Sequence, residues 1–249
     1  MTNIAICGCN GKMGRVIYNC VKERDDAVVV AGIDLNTTSY ADFPIYSSPN
    51  DIKEKVDVII DYSHPSSLDG LLQYAKISGT PVVFATTGYS KEQIDKIKTA
   101  SNEVPVFFTF NMSLGINLLV QLAKKATAIL GGQFDIEIIE KHHNQKIDAP
   151  SGTAIMLADA INETLDNKYQ FVYDRHSQRK KREKNEIGIH AVRGGTIVGE
   201  HEVIFAGHDE VITLSHSASS KEVFAVGSIN AAIYISGKPA GLYDMSNLV

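Results

Sequence analysis

Ile4-Ala5-Ile6-Cys7-Gly8-Cys9-Asn10-Gly11-Lys12-Met13-Gly14-Arg15-Val16-Ile17 is the stretch on which the fold turns. A short apolar run leads into glycines at 8, 11 and 14. Residues 11–24 then carry Met13, Val16, Ile17, Cys20 and Val21 at i, i+3, i+4, i+7 and i+8, one apolar face of a helix. A strand, a glycine-rich turn and a helix in that order let the backbone approach a pyrophosphate where a Cβ would obstruct it. The helix start adds open N–H groups and the positive end of its dipole. The spacing is a variant of the dinucleotide fingerprint, because Asn10 holds the place of the second glycine. Asp34 ends the next apolar run, 20 residues past Gly14, where a carboxylate receives the adenosine ribose hydroxyls. An ordinary tight turn, with Asp34 a surface residue, is the lesser alternative. Asp34 repels a 2′-phosphate, and Leu35 and Asn36 add no cation beside it. Lys12 sits in the loop and attracts one. NADH is therefore favoured and NADPH accommodated.

Outward from that loop the chain keeps alternating. Nearly continuous apolar runs recur at 28–33, 56–60, 81–85 and 104–108, with helical patterns at 66–77 and 91–99. Short runs of nearly continuous hydrophobicity, separated by helices, predict a parallel sheet covered on both faces. The fold class is α/β, with a Rossmann-type doubly wound sheet. Residues 113–130 read as a long helix ending at Gly131-Gly132, and beyond it the pattern changes. A strand is expected at 134–140, a helix at 151–165, and strands at 186–192, 196–205 and 210–216, joined through Gly194-Gly195 and Gly207-His208-Asp209. The last three predict an antiparallel meander, hence an α+β domain with a mostly antiparallel sheet. A final helix at 221–235 suits the first layer better than the meander. The expected division is 1–111 with 220–249 as the dinucleotide-binding domain, and 112–219 as a second domain. Two crossings between them permit hinge closure over a ligand.

Composition narrows the function. The chain has 249 residues and a formal net charge of −5, which gives no general attraction to nucleic acid or to anionic membrane. No run approaches the ~20 apolar residues that span a bilayer. The start lacks the basic stretch of a signal peptide, so a cytoplasmic location is expected. Cys7, Cys9 and Cys20 have no distant partner and no second pair at zinc spacing; they read as small, packed residues. Arg179-Lys180-Lys181-Arg182 has no interleaved aromatics and reads as a solvated loop.

Glu140-Lys141-His142-His143-Asn144-Gln145-Lys146-Ile147-Asp148-Ala149-Pro150-Ser151-Gly152-Thr153-Ala154 carries the chemistry. It runs from a strand end to a helix start. His142, His143 and Lys146 bring proton donors that titrate near and above neutrality into one loop. Pro150 holds the chain extended ahead of the helix, and Ser151 suits its N-cap. Ser151, Gly152 and Thr153 present backbone N–H groups, with no side chain at Gly152 to block an anion. Acids and a carboxylate cradle thus come from one segment. Adjacent histidines need a third ligand nearby to hold an ion, so no metal is expected. A capped polar loop without chemistry is the plainer alternative. His64 lies at the carboxyl edge of the sheet and reads as a cofactor contact or a loop residue. His176, His190, His201, His208 and His216 read as structural.

This segment resembles the signature of the dihydrodipicolinate reductase family, Glu-x-His-His-x-x-Lys-x-Asp-Ala-Pro-Ser-Gly-Thr-Ala. The resemblance runs along nearly the whole chain, through residues 8–15, Ala85-Thr86-Thr87-Gly88, Asn111-Met112-Ser113 with Gly115 and Asn117, 192–195, 199–201 and 216–220. It implies hydride transfer from NADH or NADPH to a cyclic unsaturated imine dicarboxylate, formed from 4-hydroxy-tetrahydrodipicolinate by loss of water. The product is tetrahydrodipicolinate, of lysine and diaminopimelate biosynthesis. It implies His142 as main acid/base and Lys146 as proton donor, with substrate held by His143, Gly152 and Thr153 beside Ser151. It implies cofactor contacts at Gly8, Cys9, Asn10, Gly11, Lys12, Met13, Asp34, Ala85, Thr86, Thr87, Thr109, Phe110, Asn111 and Met112. A homotetramer built through domain 112–219 is also implied, and an open sheet suits such association. Three positions depart from the family's habit: Ala85 stands for a frequent glycine, Lys141 for a small apolar residue beside His142, and Lys221 for a frequent arginine. None removes a reacting group. Two rivals remain, a nicotinamide reductase of another imino or semialdehyde substrate and an NAD(H)-binding sensor. The Lys146 and Ser151–Thr153 group speaks against the first, and a sensor needs no acid near the nicotinamide.

Overall fold

The computed structural model describes residues 1–248. In chain order the first elements are β1 (Thr2–Cys7), α1 (Lys12–Lys22), β2 (Ala27–Ile33), β3 (Ile45–Tyr46) and β4 (Val58–Asp61). Then come α2 (Leu68–Ser78), β5 (Val82–Phe84), α3 (Lys91–Ala100) and β6 (Pro105–Phe108). There follow α4 (Leu114–Leu130), β7 (Asp135–His142), α5 (Gly152–Thr164), β8 (Gln170–Val172), β9 (Glu186–Arg193), β10 (Gly199–Ala206) and β11 (Val211–Ala218). α6 (Glu222–Ile235) and β12 (Gly241–Tyr243) follow, ahead of a short 3-10 turn at Met245–Leu248. One compact unit holds Met1–Ser113 and the chain from Lys221 on; the other holds Leu114–Ser220.

The first unit is built on a parallel sheet in the order β12-β6-β5-β4-β1-β2-β3. Its strands are apolar on both sides because both faces are covered. α2 and α3 lay Leu68, Leu71, Leu72, Ala75 and Ile97 on Ala5, Cys7, Ile59, Phe84 and Val106. α6 packs on α1 and across β4, β5 and β6. Ile4, Ile6, Ile59 and Ile60 are wholly buried, each contributing about 1.5–3 kcal/mol of transfer free energy. The helix ends are set locally. Ser90 and Gln93 form a reciprocal capping box at the start of α3, and α2 stops at Gly79 in the left-handed region, φ +72°. The strand order turns at β1, so the carboxyl ends of β1 and β4 bracket the crevice in which such sheets hold ligands.

The second unit has a five-stranded sheet ordered β11-β10-β7-β9-β8. Ile136, Ile138, Ile187, Ile189, Val203 and Phe205 line one face against Ile116 and Leu119 of α4 and Leu157, Ala158 and Ile161 of α5. The sheet is mixed, and the expected meander is corrected. β10 and β11 form an antiparallel hairpin, but β7 lies between β9 and β10, parallel to the first and antiparallel to the second. The chain at 194–198 therefore crosses over the end of β7. Gly194 N donates to His142 O at 2.9 Å and Asn144 N to Gly195 O at 3.2 Å, which holds the crossing there. β3, β8 and β12 are two or three residues long, too short to show a period. The basic run is also not wholly solvated. Arg182 turns inward and donates to Glu137 Oε1 at 2.9 Å, Asp135 Oδ1 at 2.8 Å and the carbonyls of Ile136 and Glu186. Among the described residues no helix is long and apolar enough to cross a membrane.

Candidate active site

Gly8 ends the first strand with φ +79°, and a Cβ there would lie 2.6 Å from the Tyr62 carbonyl oxygen. A Cβ on Gly14 would collide with the Gly8 carbonyl and the Cys9 backbone. One glycine turns the chain and the other seats α1 against it. Gly11 caps α1 without a side chain to accept from its first turn, so the helix start keeps donors for an anion. Asp34 accepts from Asn10 N and Asn36 N, each at 3.0 Å and each on a different oxygen. Lone pairs remain for ribose hydroxyls. These residues fit a dinucleotide.

Asn10 acts as a brace in the second glycine's place. Its amide donates to Asn36 O at 2.6 Å and Thr38 O at 3.2 Å. Arg15 donates to Asn10 Oδ1 at 3.1 Å and lies 4.2 Å over the Tyr40 ring. A cation thus reaches this loop from α1, although residues 35 and 36 supply none; helical spacing alone did not reveal it. Lys12 is exposed and Met13 half-buried. Cys9 turns its side chain into the core, against Gly32, and its carbonyl accepts from Tyr40 at 3.0 Å. Its thiol, pushed up to about 11 chiefly by burial, offers a cofactor nothing. Thr86 is likewise committed, donating to Asp61 Oδ2 at 3.0 Å, whereas Ala85 is buried and Thr87 exposed. After β6, Thr109 accepts from Asn111 N, Asn111 accepts from Ser113 N, and Met112 is buried with its carbonyl on Gly227. Phe110 stands out in solvent, its ring edge-on to Phe108 at 5.3 Å. His64 is exposed and its Nδ1 caps the turn at Ser66.

In the second unit the hub is Glu140 of β7, wholly buried. Arg193 reaches it with both terminal nitrogens, at 2.8 Å on Oε2 and 2.7 Å on Oε1. Ser151 N donates to Oε1 at 3.0 Å, and His142 Nδ1 lies 2.6 Å from Oε2. Burial pushes this carboxyl up, but Arg193, His142 and the Ser151 amide outweigh it and hold it below the ordinary carboxylate range. A carboxylate accepts only, so His142 Nδ1 is the donor, and Nε2 is the ring nitrogen that can take or give a proton. Nε2 faces Gly199, where a Cβ would lie 3.1 Å away. The His201 ring meets His142 edge-on at 5.2 Å, and its Nε2 is 3.1 Å from Ser151 Oγ. Burial first, and His142 second, push His201 down to about 4, so this ring is neutral at pH 7.

Lys146 Nζ lies 2.8 Å from Asp148 Oδ1, and the Asp148 carbonyl accepts from Arg193 at 2.6 Å. The loop is therefore tied to β9 just after the lysine. His143 Nδ1 is buried and makes no hydrogen bond. Ser151 caps α5, accepting from Ala154 N at 3.2 Å. Its own N–H is taken by the Glu140 carboxylate, so Ser151 frames the site and does not offer that N–H to a ligand as expected. Gly152 opens on empty space and Thr153 follows it in the first turn. Lys141 points to the opposite sheet face and pairs with Glu200 at 3.1 Å and Glu202 at 2.8 Å. Glu140, Arg193 and His201 were given no role from sequence. Period-two alternation puts Glu140 on the His142 face, and that signal was present. Arg193 and His201 arrive from other strands, through register alone. Among the described residues no group of three or more His, Cys, Asp or Glu is placed to hold a metal ion.

A dinucleotide cradle on a doubly wound sheet, with an anchored histidine and lysine beside a helix start, defines a nicotinamide-dependent oxidoreductase. The family models for the N-terminus and C-terminus of dihydrodipicolinate reductase match residues 2–112 and 115–249. A 4-hydroxy-tetrahydrodipicolinate reductase of Caldanaerobacter subterraneus subsp. tengcongensis is 54% identical, over 100% of this chain and 98% of that protein. One of Clostridium tetani is 49% identical, over 98% and 96%. A dipicolinate-bound dihydrodipicolinate reductase from Paenisporosarcina sp. TG-14 superposes with a TM-score of 0.82 at 26% identity, covering 100% of both chains. The chain belongs to the dihydrodipicolinate reductase family, NAD(P)H-dependent oxidoreductases of lysine and diaminopimelate biosynthesis.

Proposed function

We propose that this chain reduces the cyclic unsaturated imine dicarboxylate derived from 4-hydroxy-tetrahydrodipicolinate, with His142 as acid/base and Lys146 as a proton donor. The observation that carries the reading is the Arg193–Glu140–His142 chain of contacts, at 2.7 to 2.8 Å and 2.6 Å. When bound, NADH or NADPH supplies the hydride. Hydride addition leaves the conjugated system short of one proton, and His142 delivers it from Nε2. Glu140, kept charged by Arg193, holds the ring in that tautomer and orientation for the transfer. The Lys146 ammonium, steadied by Asp148, supplies a second donor and a positive charge for a carboxylate. His143, Gly152 and Thr153 cradle the carboxylates at the start of α5, with Ser151 fixing that start.

On the nucleotide side, Gly8, Asn10, Gly11, Lys12 and Met13 serve the pyrophosphate, and Cys9 contributes backbone only. Asp34 serves the ribose, and Ala85, Thr86 and Thr87 with Thr109, Phe110, Asn111 and Met112 serve the nicotinamide half. Asp34 favours NADH, while Lys12 and Arg15 keep NADPH usable. The homotetramer implied by the family remains part of this reading, with the edge strand β11 of the second sheet as support.

The test follows NADH oxidation near 340 nm, a wavelength of the cofactor's own, with enzymatically generated substrate. His142→Gln is expected to lose about 10²-fold or more in turnover. A folded wild type that binds NADH without turnover would overturn the reading and favour the sensor.

A further inference from the structure

Asp61, the last residue of β4, is wholly buried, and no step above uses it. Its carboxylate is ringed by donors from two different loops. Oδ1 accepts from the Ser63 amide at 3.1 Å and the Ser63 hydroxyl at 2.5 Å, in the loop after β4. Oδ2 accepts from the Thr86 hydroxyl at 3.0 Å and the Tyr89 hydroxyl at 2.8 Å, in the loop after β5. All four donors are neutral. A carboxylate without a cation is a costly core residue, and an apolar side chain would serve packing better. What the position provides is geometry.

That geometry falls where the sheet holds ligands. β4 lies between β1 and β5, at the turn of the strand order. Backbone bonds repeat the linkage, from Ala85 N to Asp61 O and from Tyr62 N to Cys7 O, each at 3.0 Å. The Gly8 turn rests directly on Tyr62 O. Burial, with Asp61 alongside, pushes the Tyr89 hydroxyl well up, so it stays a donor.

We propose that Asp61 is a positioning residue: its carboxylate fixes loop 62–64 against loop 85–89, and so shapes residues 85–87 to receive the nicotinamide half of the cofactor. The proposal rests on the cofactor reading above and deepens it. Asp61 acts through Ser63, Thr86 and Tyr89 and does not touch the reacting atoms.

The experiment compares wild type, Asp61→Asn and Tyr89→Phe in three readouts. These are NADH affinity by fluorescence titration without substrate, affinity for pyridine-2,6-dicarboxylate, and amide exchange at residues 85–89 in the nucleotide-free protein. Asp61→Asn is expected to weaken NADH binding about 10-fold, the scale of one charge-assisted hydrogen bond. Exchange at 85–89 should quicken, and dicarboxylate affinity should stay within about 2-fold, since its proposed site lies elsewhere in the chain. Tyr89→Phe, which removes one donor, should move both readouts the same way by less, and it decides the matter should Asp61→Asn fail to fold. Unchanged NADH affinity in the folded variants, or equal losses for both ligands, overturns the proposal. A wild type that binds NADH but does not turn over substrate defeats the reductase reading and leaves Asp61 standing on its binding effect. A wild type that binds no NADH defeats both.

Discussion

Replacing Arg193 by methionine keeps much of the side-chain volume and removes the fork that holds Glu140. Arg193 reaches the two carboxylate oxygens at 2.8 and 2.7 Å, and Glu140 is 0% exposed. Without the guanidinium the carboxylate keeps only the Ser151 amide and His142 as donors. A buried charge stripped of its partner costs about 3–5 kcal/mol. At about 2–4 °C per kcal/mol for a chain of this size, Tm at pH 7 is expected to fall by roughly 6–20 °C. Pairing the change with Glu140→Gln removes the stranded charge, and the double variant should recover about 1.5–3 kcal/mol relative to the sum of the singles. The pH dependence also changes sign. In the wild type Glu140 is held below its ordinary value. Its contribution is therefore full above the unfolded carboxyl pKa of about 4.3 and is lost as the pH falls through the folded value. In Arg193→Met burial prevails, the folded value rises above the unfolded one, and acid relieves the strain. The Tm gap between variant and wild type should then narrow from pH 7 towards pH 4. Melts followed by circular dichroism across that range are the assay. A single variant within about 2 °C of wild type at pH 7, or strict additivity in the double, would refute the buried-pair argument.

His201, pushed down to about 4 by burial and then by His142, is neutral in the fold where the unfolded chain would take a proton. Its contribution is present above pH ~6.5 and lost towards pH 4, on the order of 3 kcal/mol. His201→Asn should flatten that part of the stability curve, and an unchanged slope would sink the assignment. Asp34→Asn should raise the NADPH-to-NADH ratio of kcat/KM by about 10-fold, and Arg15→Ala should lower it, as initial rates with each nucleotide will report. The same ratio in all three proteins would remove these residues from cofactor choice. Gly8→Ala forces a Cβ to 2.6 Å from Tyr62 O at φ +79°. It should cost about 1–3 kcal/mol of stability and weaken NADH binding in a fluorescence titration; wild-type affinity would mean the loop has another shape when nucleotide binds.

The doubly wound sheet was legible in the chain because its signals are local. Glycines 8, 11 and 14 stand between an apolar run and a helical face, and the nearly continuous apolarity of residues 56–60 and 104–108 marks strands buried on both sides. Segment 140–154 was legible as strand end, polar loop and capped helix for the same reason, since a cap depends on neighbours three residues apart. Period two also placed Glu140 on the face of His142. Strand partners were not legible. The three strands at 186–216 read as a meander, and nothing in their alternation says that β7 enters between β9 and β10. That insertion brings Arg193 from one side and His201 from the other onto Glu140, His142 and Ser151. In the same way the brace of Asn10 on Asn36, the cation Arg15 above Tyr40, and the meeting of Ser63 with Thr86 and Tyr89 on Asp61 depend on which strands lie side by side. Periodicity reports which way a side chain faces along its own element. Which neighbour it then meets is a matter of register and topology, settled when the whole sheet closes its hydrogen bonds and buries its faces together.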